Sequence, residues 1–255
     1  MLIILSIVFL ACQIHPSRDY PLKNGKPTSQ GIRQYVEENS GSLIREYQDF
    51  VDDTLYNVWI YAVDPEDYDQ ADSLELGWYF PHEIYISTEE SFVAYELADL
   101  EPERKIALRE CNKFVRAVMV HELTHEYVNQ IAVEMKSRDP RSVHRSYQTD
   151  IWIIRSHETF GSSFIEEGLS EYMTEKMGEL IPPKHPFIPA TVEELLSKDK
   201  RYDVKYKYAS AILQPFLDST GFKRGVMVLL HNSPPTYEEA LHPDLYFSRL
   251  VSFEE

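Results

Sequence analysis

Residues 118–125 read VMVHELTH, and this stretch carries most of the information about the fold and chemistry of the chain. From residue 104 to about residue 135 there is neither proline nor glycine, and apolar residues recur at helical spacing, which predicts one long helix. On that helix His121 and His125 lie one turn apart, about 40° around the axis and roughly 6 Å along it. Both imidazoles can therefore converge on one ion.

Glu122 follows the first histidine and completes the pattern His-Glu-x-x-His. In a zinc site of this kind the glutamate is the general base, taking a proton from a water molecule whose pKa the metal lowers toward about 7. It then serves as the acid that protonates the leaving group. The alternative is a pair of solvated or core histidines with no metal. The position of the motif in mid-helix, after three apolar residues, favours the metal site.

The order of elements around this helix predicts an α+β fold, with strands before the motif and helices dominating after it. Predicted helices cover residues 31–53, 164–177 and 205–219, and predicted strands cover residues 55–63 and 83–87. The segment 31–53 is predicted as one helix, or as two helices broken near residues 40–42. The helix at 205–219 is predicted to be kinked or interrupted by Pro215.

A catalytic zinc needs a third protein ligand. In the metzincin class it is a histidine six residues after the second motif histidine, with a glycine at the third position, but here these positions hold Ile131 and Val128. That class is excluded. Downstream, residues 164–172 read FIEEGLSEY. This segment resembles the second active-site helix of the gluzincins, the HExxH metallopeptidases whose third ligand is a glutamate followed by a glycine.

The resemblance implies a complete metal site. The implied zinc ligands are His121, His125 and Glu167, with Glu122 as the base. Glu166 is the rival third ligand, because adjacent helical residues point about 100° apart and only one of them can face the histidines. The resemblance also implies that Glu171, one turn later, orients a ligating histidine. The alternative for Glu171 is a plain solvated charge.

Residues 208–213 read YASAIL and resemble the segment after the ligand helix in aminopeptidase-type gluzincins, where a tyrosine hydroxyl stabilises the oxyanion. The resemblance implies Tyr208 in that role. A core tyrosine is an equal alternative, and Tyr206 and His157 compete for the role. The resemblance further implies that residues 83–87 form the edge strand along which an extended substrate lies.

Two features depart from the gluzincin pattern. Glu126 is charged where the family prefers an uncharged residue, and the interval between the second histidine and Glu167 is longer than in the best-known members. Residues 136–161, rich in arginine and histidine, are therefore interpreted as an insertion that shapes or covers the cleft. The resemblance covers residues 55–250 in the order of elements, but only the two ligand segments are specific.

Length and charge restrict the possible organisation and partners. The chain has 255 residues, and 42 acidic against 25 basic residues give a net charge of −17. The electric field of this negative charge repels phosphate backbones, so nucleic acid is not expected as a partner. One domain is predicted at residues 27–255, with a strand-helix lobe at 27–135 and a helical lobe at 162–255.

The N-terminus has the composition of a targeting segment. Residues 2–11 (LIILSIVFLA) are too short for a membrane-spanning helix and resemble the apolar part of a signal peptide. Residues 1–12 are interpreted as a signal peptide or lipoprotein signal and residues 13–26 as a linker, with a buried first strand or helix as the alternative. Loss or lipidation of Cys12 leaves Cys111, predicted as a buried apolar residue, without a disulfide partner.

Together these features predict a zincin-like α+β protein in which a small lobe with an edge strand packs on a helical lobe, with a zinc-containing cleft between them. The expected activity is hydrolysis of peptide bonds in a peptide or protein substrate. An extracytoplasmic location is expected, secreted or anchored to the membrane through the N-terminus. The alternatives are a non-catalytic binding lipoprotein that keeps the gluzincin fold, and a zinc hydrolase of a non-peptide bond.

Overall fold

The computed structural model describes residues 28–64, 77–88, 108–147, 159–177, 187–197 and 203–251. The predicted signal segment and linker lie outside these residues. The fold is mixed α+β, as predicted, with helices predominating over one small sheet of three strands in the described part of the chain. None of the described helices is both long enough and apolar enough to cross a membrane.

The elements follow each other in an order that places most helices after the sheet. The helices are α1 (Ser29–Val51), α2 (Leu108–Arg138), α3 (Phe160–Met177), α4 (Val192–Leu195), α5 (Ala209–Thr220), α6 (Phe222–His231), α7 (Tyr237–Leu241) and α8 (Pro243–Ser248). The strands are β1 (Trp59–Val63), β2 (Gly77–Phe80) and β3 (Glu83–Ser87). A short 3-10 turn covers Arg145–Tyr147, and a π-helical turn covers Asp203–Tyr208.

Helix α1 is continuous, so of the two predicted forms the structure has the single helix. The Thr28 side chain caps its start by accepting a hydrogen bond from the Gly31 N–H, at 3.1 Å. At its end Asp52 adopts a left-handed conformation with φ 52°. Gly41, in the predicted break, is an ordinary helical position where an added Cβ would meet only the end of the Arg45 side chain, at 3.8 Å.

The sheet corrects the prediction for residues 83–87. Strand β3 is the central strand, parallel to β1 and antiparallel to β2, and not the edge strand. Ile84 and Ile86 point into the core and are fully buried, which suits a strand covered by neighbours. The edge that lies beside the motif helix is β2, a four-residue strand whose sequence GWYF carries no strand alternation long enough to predict it.

Helix α2 confirms the predicted long helix and forms the centre of the core. It packs against α1, the sheet, α3 and α6, so apolar residues are buried around much of its circumference. Arg116 joins two of these neighbours: its guanidinium lies 2.6 Å from a Glu46 carboxylate oxygen of α1 and donates to the Met177 carbonyl of α3, at 3.3 Å. Cys111 is buried, as predicted, and burial raises the pKa of its thiol to about 11.

Helix α3 begins four residues earlier than predicted and is buried along nearly its whole length. It packs between α2 and α5. Gly168 makes the approach to α5 possible, because a Cβ there would lie 2.8 Å from the Ala209 Cβ and 2.9 Å from Leu213 Cδ1. The glycine after Glu167 thus has a packing reason: only hydrogen fits between the two helices.

The predicted helix at residues 205–219 is divided in the structure. Its first part is the π-helical turn and its second part is α5, which contains Pro215 and ends before Gly221 at φ 80°. Of the predicted insertion, residues 136–147 and 159–161 are described, and its first three residues belong to the end of α2. Within it Val143 and Tyr147 are buried in the main core, so this part of the segment belongs to the body of the fold.

Candidate metal centre

His121 and His125 lie on the face of α2 that is turned toward α3. Their Nε2 atoms are 3.2 Å apart, and their rings meet edge to face with centroids 4.9 Å apart. The side chains are only 14% and 12% exposed, so the pair is nearly enclosed and yet reachable. Helical spacing alone predicts this proximity, because residues four apart occupy one face.

Glu167 supplies a carboxylate from α3 to the same point. Its Oε2 lies 3.2 Å from His121 Nε2 and 3.6 Å from His125 Nε2. The three ligand atoms lie within 4.8 Å of one another, close enough to surround a single metal ion. Glu166, the rival third ligand, is buried on α3 but is not part of this group. His157 lies outside the described residues.

The charges of this group are matched to one another. Burial alone would lower the pKa of His125, but the hydrogen bond and charge of Glu167, with the charges of Glu122 and Glu166, raise it to about 9. Burial works against ionisation of Glu167 too, and the two histidines still lower the pKa of its carboxyl well below the usual range. A buried carboxylate facing two imidazoles is thus held in the ionised form that a cation requires.

Glu122 and strand β2 complete the surroundings of the histidines. Glu122 is 7% exposed, and the backbone of Gly77 lies directly against its side chain. Two residues further along the same face of β2, the Tyr79 ring stacks on the His125 ring with centroids 5.8 Å apart and planes 16° apart. Sequence reasoning missed both β2 residues. The only available signal was the glycine at the start of an aromatic run.

Tyr208, which the resemblance implied as oxyanion donor, has the core position that was its alternative, and its competitor Tyr206 lies beside His121. The Tyr208 hydroxyl donates to the buried Ala240 carbonyl, at 2.8 Å, and its ring packs edge to face against Phe164. Tyr208 is therefore a core residue of a small second cluster. Tyr206, in the π-helical turn, has its ring centroid 5.6 Å from that of His121. The extra residue of a π-helical turn rotates side chains relative to an α-helix, which local sequence did not reveal.

Glu171 also has a different partner from the predicted one. Its carboxylate pairs with Lys207 of the π-helical turn, and the two side chains are 4% and 12% exposed. It orients a turn of the chain, not a histidine, and it is not a solvated charge. Glu175, one turn further along α3, lies near the same lysine and accepts a hydrogen bond from Ser210, at 3.3 Å. Lys207 thus fastens the segment that carries Tyr206.

Glu126, the charged residue after the second histidine, has a structural use. Its carboxylate is fully buried, accepts from the backbone N–H of His82 at 3.1 Å and lies 3.1 Å from His82 Nδ1. Gln130 donates to it at 2.5 Å. Burial raises the pKa of Glu126, and these partners oppose that rise. The departure from the family pattern therefore anchors the β2–β3 turn, where His82 has a φ of 74°, to α2.

Comparison with models of known protein families, with curated protein sequences and with solved structures finds no match.

Proposed function

We propose that this protein is a zinc-dependent metallohydrolase of the gluzincin type and that it hydrolyses peptide bonds. One observation carries the proposal: the donor atoms of three side chains from α2 and α3 lie together, those of His121, His125 and Glu167. Glu122 lies beside them on α2. Two imidazoles and one carboxylate form a donor set that catalytic zinc uses, with a fourth position left for water or substrate. The zincin-like arrangement of sheet, motif helix and ligand helix is part of this proposal.

A zinc ion bound by these residues would act as a Lewis acid on a carbonyl and lower the pKa of a water molecule. The chain supplies the remaining steps. The Glu122 carboxylate takes a proton from the attacking water and later gives it to the leaving amine. One well-placed carboxylate is enough for both proton transfers. Glu167 stays ionised and holds the histidines in place.

Tyr206 replaces Tyr208 as the proposed oxyanion donor. Its ring lies beside His121, whereas the hydroxyl of Tyr208 is used by the Ala240 carbonyl. A phenol placed next to a ligand can stabilise charge that develops on the substrate oxygen in the transition state. The pair of Lys207 and Glu171, next in the chain and on α3, keeps the turn that bears Tyr206 in position.

The proposed substrate is an extended peptide. Strand β2 pairs with β3 on one side and, among the described strands, with none on the other, and its inner face touches Glu122 and His125. A peptide added at this edge would run past the metal ligands. The negative charge of the chain supports a peptide over a nucleic acid. We keep the extracytoplasmic, lipid-anchored or secreted location as part of the proposal.

The test compares the parent protein with Glu122→Gln. Purified protein should hold about one zinc per chain, and a mixed peptide library should be cleaved. Glu122→Gln keeps size and hydrogen bonding but cannot accept the proton, so zinc content should persist while turnover falls by a factor on the order of 10² to 10⁴. Zinc without any cleavage in the parent would favour the non-catalytic binding module. Equal cleavage by both proteins would remove Glu122 from the mechanism.

A further inference from the structure

Gly77 lies where strand β2 meets the motif helix. It pairs with Ile86 of β3 and begins the strand. A Cβ built on Gly77 would lie 2.9 Å from the Cγ of Glu122, 3.0 Å from its Oε1 and 2.8 Å from Val118 Cγ1. Distances below 3.0 Å are not tolerated between carbon atoms. The space that a side chain would need is therefore taken by Glu122 and its neighbour one turn earlier.

The contact is part of a longer surface between β2 and α2. Tyr79, which points to the same side of the strand as Gly77, stacks on His125. The inner face of β2 thus follows the helix from the base to the second histidine. Glu122 is only 7% exposed, so the strand backbone forms one wall of the space that its carboxylate occupies.

We propose that Gly77 is the residue that positions Glu122. The missing side chain lets the strand backbone approach the carboxylate, and the backbone then limits where the carboxylate can lie. This inference rests on the proposed function in one respect, the role of Glu122 as general base. A base must stay within hydrogen-bonding reach of the proton that it removes, and an error of about 1 Å can cost on the order of 10²-fold in rate.

The activity test is Gly77→Ala. The three atoms nearest to the added methyl group belong to Val118 and Glu122, neither of them a proposed metal ligand, so zinc content should stay at the parent level. It displaces the base, so kcat should fall by a factor on the order of 10 to 10², with KM changing far less. Gly41→Ala is the matched control: its Cβ meets only an arginine end at 3.8 Å, and its turnover should equal that of the parent.

A second comparison separates positioning of Glu122 from general damage. In a Glu122→Gln background the proton-accepting group is already lost, so adding Gly77→Ala should slow the enzyme little further. A merely structural glycine would lower the rate by the same factor in both backgrounds. That outcome, or a Gly77→Ala protein with turnover within about twofold of the parent, would overturn the inference.

Thermal unfolding tests the contact without any substrate. Gly77→Ala should lower Tm by on the order of 5 °C, as overpacking does in a chain of this size. Val118→Ala removes one of the three atoms in the way of the methyl group and Glu122→Ala removes the other two, so each should recover part of that loss. If Val118→Ala recovers all of it and Glu122→Ala none, Gly77 does not position Glu122.

The activity test and the unfolding test can fail separately, so failure of the inference can be distinguished from failure of the proposed function. A parent protein that cleaves no peptide would count against the proposed function, and the Tm comparison would then decide whether Gly77 sets the position of Glu122. If Gly77→Ala alone fails to fold, Gly77→Ala with Val118→Ala provides room on the valine side and keeps the clash with Glu122. That double variant should fold, hold zinc and remain slow, and parent-like turnover by it would contradict the inference.

Discussion

Tyr206 and Tyr208 are two positions apart in the chain and have different surroundings. The Tyr206 ring lies next to His121, a candidate metal ligand, and the Tyr208 hydroxyl donates to a buried carbonyl. From sequence alone both were candidates for the same role, because a helical pattern does not reveal which face of an irregular turn meets the site. The structure separates them by the surroundings of each side chain.

The prediction at this scale uses both tyrosines as reciprocal controls. Tyr206→Phe should leave zinc content unchanged and lower kcat by a factor on the order of 10² to 10³, the usual value of an oxyanion donor. Tyr208→Phe should leave turnover intact and reduce the free energy of unfolding by about 1–3 kcal/mol, because the Ala240 carbonyl loses its donor in a buried place.

Kinetics at saturating peptide, zinc analysis and urea unfolding of the two variants provide the measurements. The assignment of the oxyanion donor would be reversed if Tyr208→Phe lost turnover and Tyr206→Phe did not. A loss of stability in both variants without a loss of turnover in either would leave the oxyanion to another group and remove Tyr206 from the mechanism.

Among the elements, the contact between α3 and α5 decides where Glu167 can lie. Gly168 follows this ligand directly and is the point of closest approach. Gly168→Ala would place a methyl group 2.8 Å from the Ala209 Cβ and 3.1 Å from its backbone carbon, so one helix must shift. We expect a loss of about 1–3 kcal/mol in stability. Zinc affinity should weaken as well, because the ligand moves with its helix.

Gly41→Ala is again the suitable comparison, since the same change in an open helical position should be neutral or stabilising by about 0.5–1 kcal/mol. Chemical denaturation and a competition titration with a zinc-binding dye would measure the two quantities. Unchanged zinc affinity in a destabilised Gly168→Ala protein would mean that Glu167 keeps its position independently of the α5 contact.

The helices and strands differ in how well the sequence predicts them. The spacing of His121 and His125 is local, so it predicted their proximity without a structure. The order of the sheet depends on long-range pairing, and the resemblance to the gluzincins implied an edge position for β3 when the strand is central. The short strand β2, with no clear alternation, was missed. Glu171 and Lys207 were beyond prediction, because their pairing needs the π-helical turn to lie on α3.

For the molecule as a whole, metal and stability should be coupled. The ligands come from α2 and α3, which are central to the core, and a metal that binds only the folded chain stabilises it by mass action. Free zinc at about 100 times its dissociation constant corresponds to roughly 2.7 kcal/mol, or a rise in Tm on the order of 5–10 °C. A chelator should reverse this rise.

Differential scanning calorimetry of the parent, Glu122→Gln and His121→Ala tests that coupling. Glu122→Gln keeps all three ligands and should respond to zinc like the parent. His121→Ala lacks one ligand and should bind no metal and show no zinc-dependent change in Tm. A His121→Ala protein that still gains stability from zinc would locate the metal elsewhere on the chain.

The position of the ligands on two separate helices has a further effect. Of the described residues Cys111 is the only cysteine, so no disulfide joins one part of this chain to another there. An ion bound by both His125 and Glu167 would close a loop of the chain through the intervening residues, as a cross-link does. A single cut of the backbone inside that loop would leave both fragments bound to the same ion, so the cleaved protein would stay together for as long as the metal stayed bound.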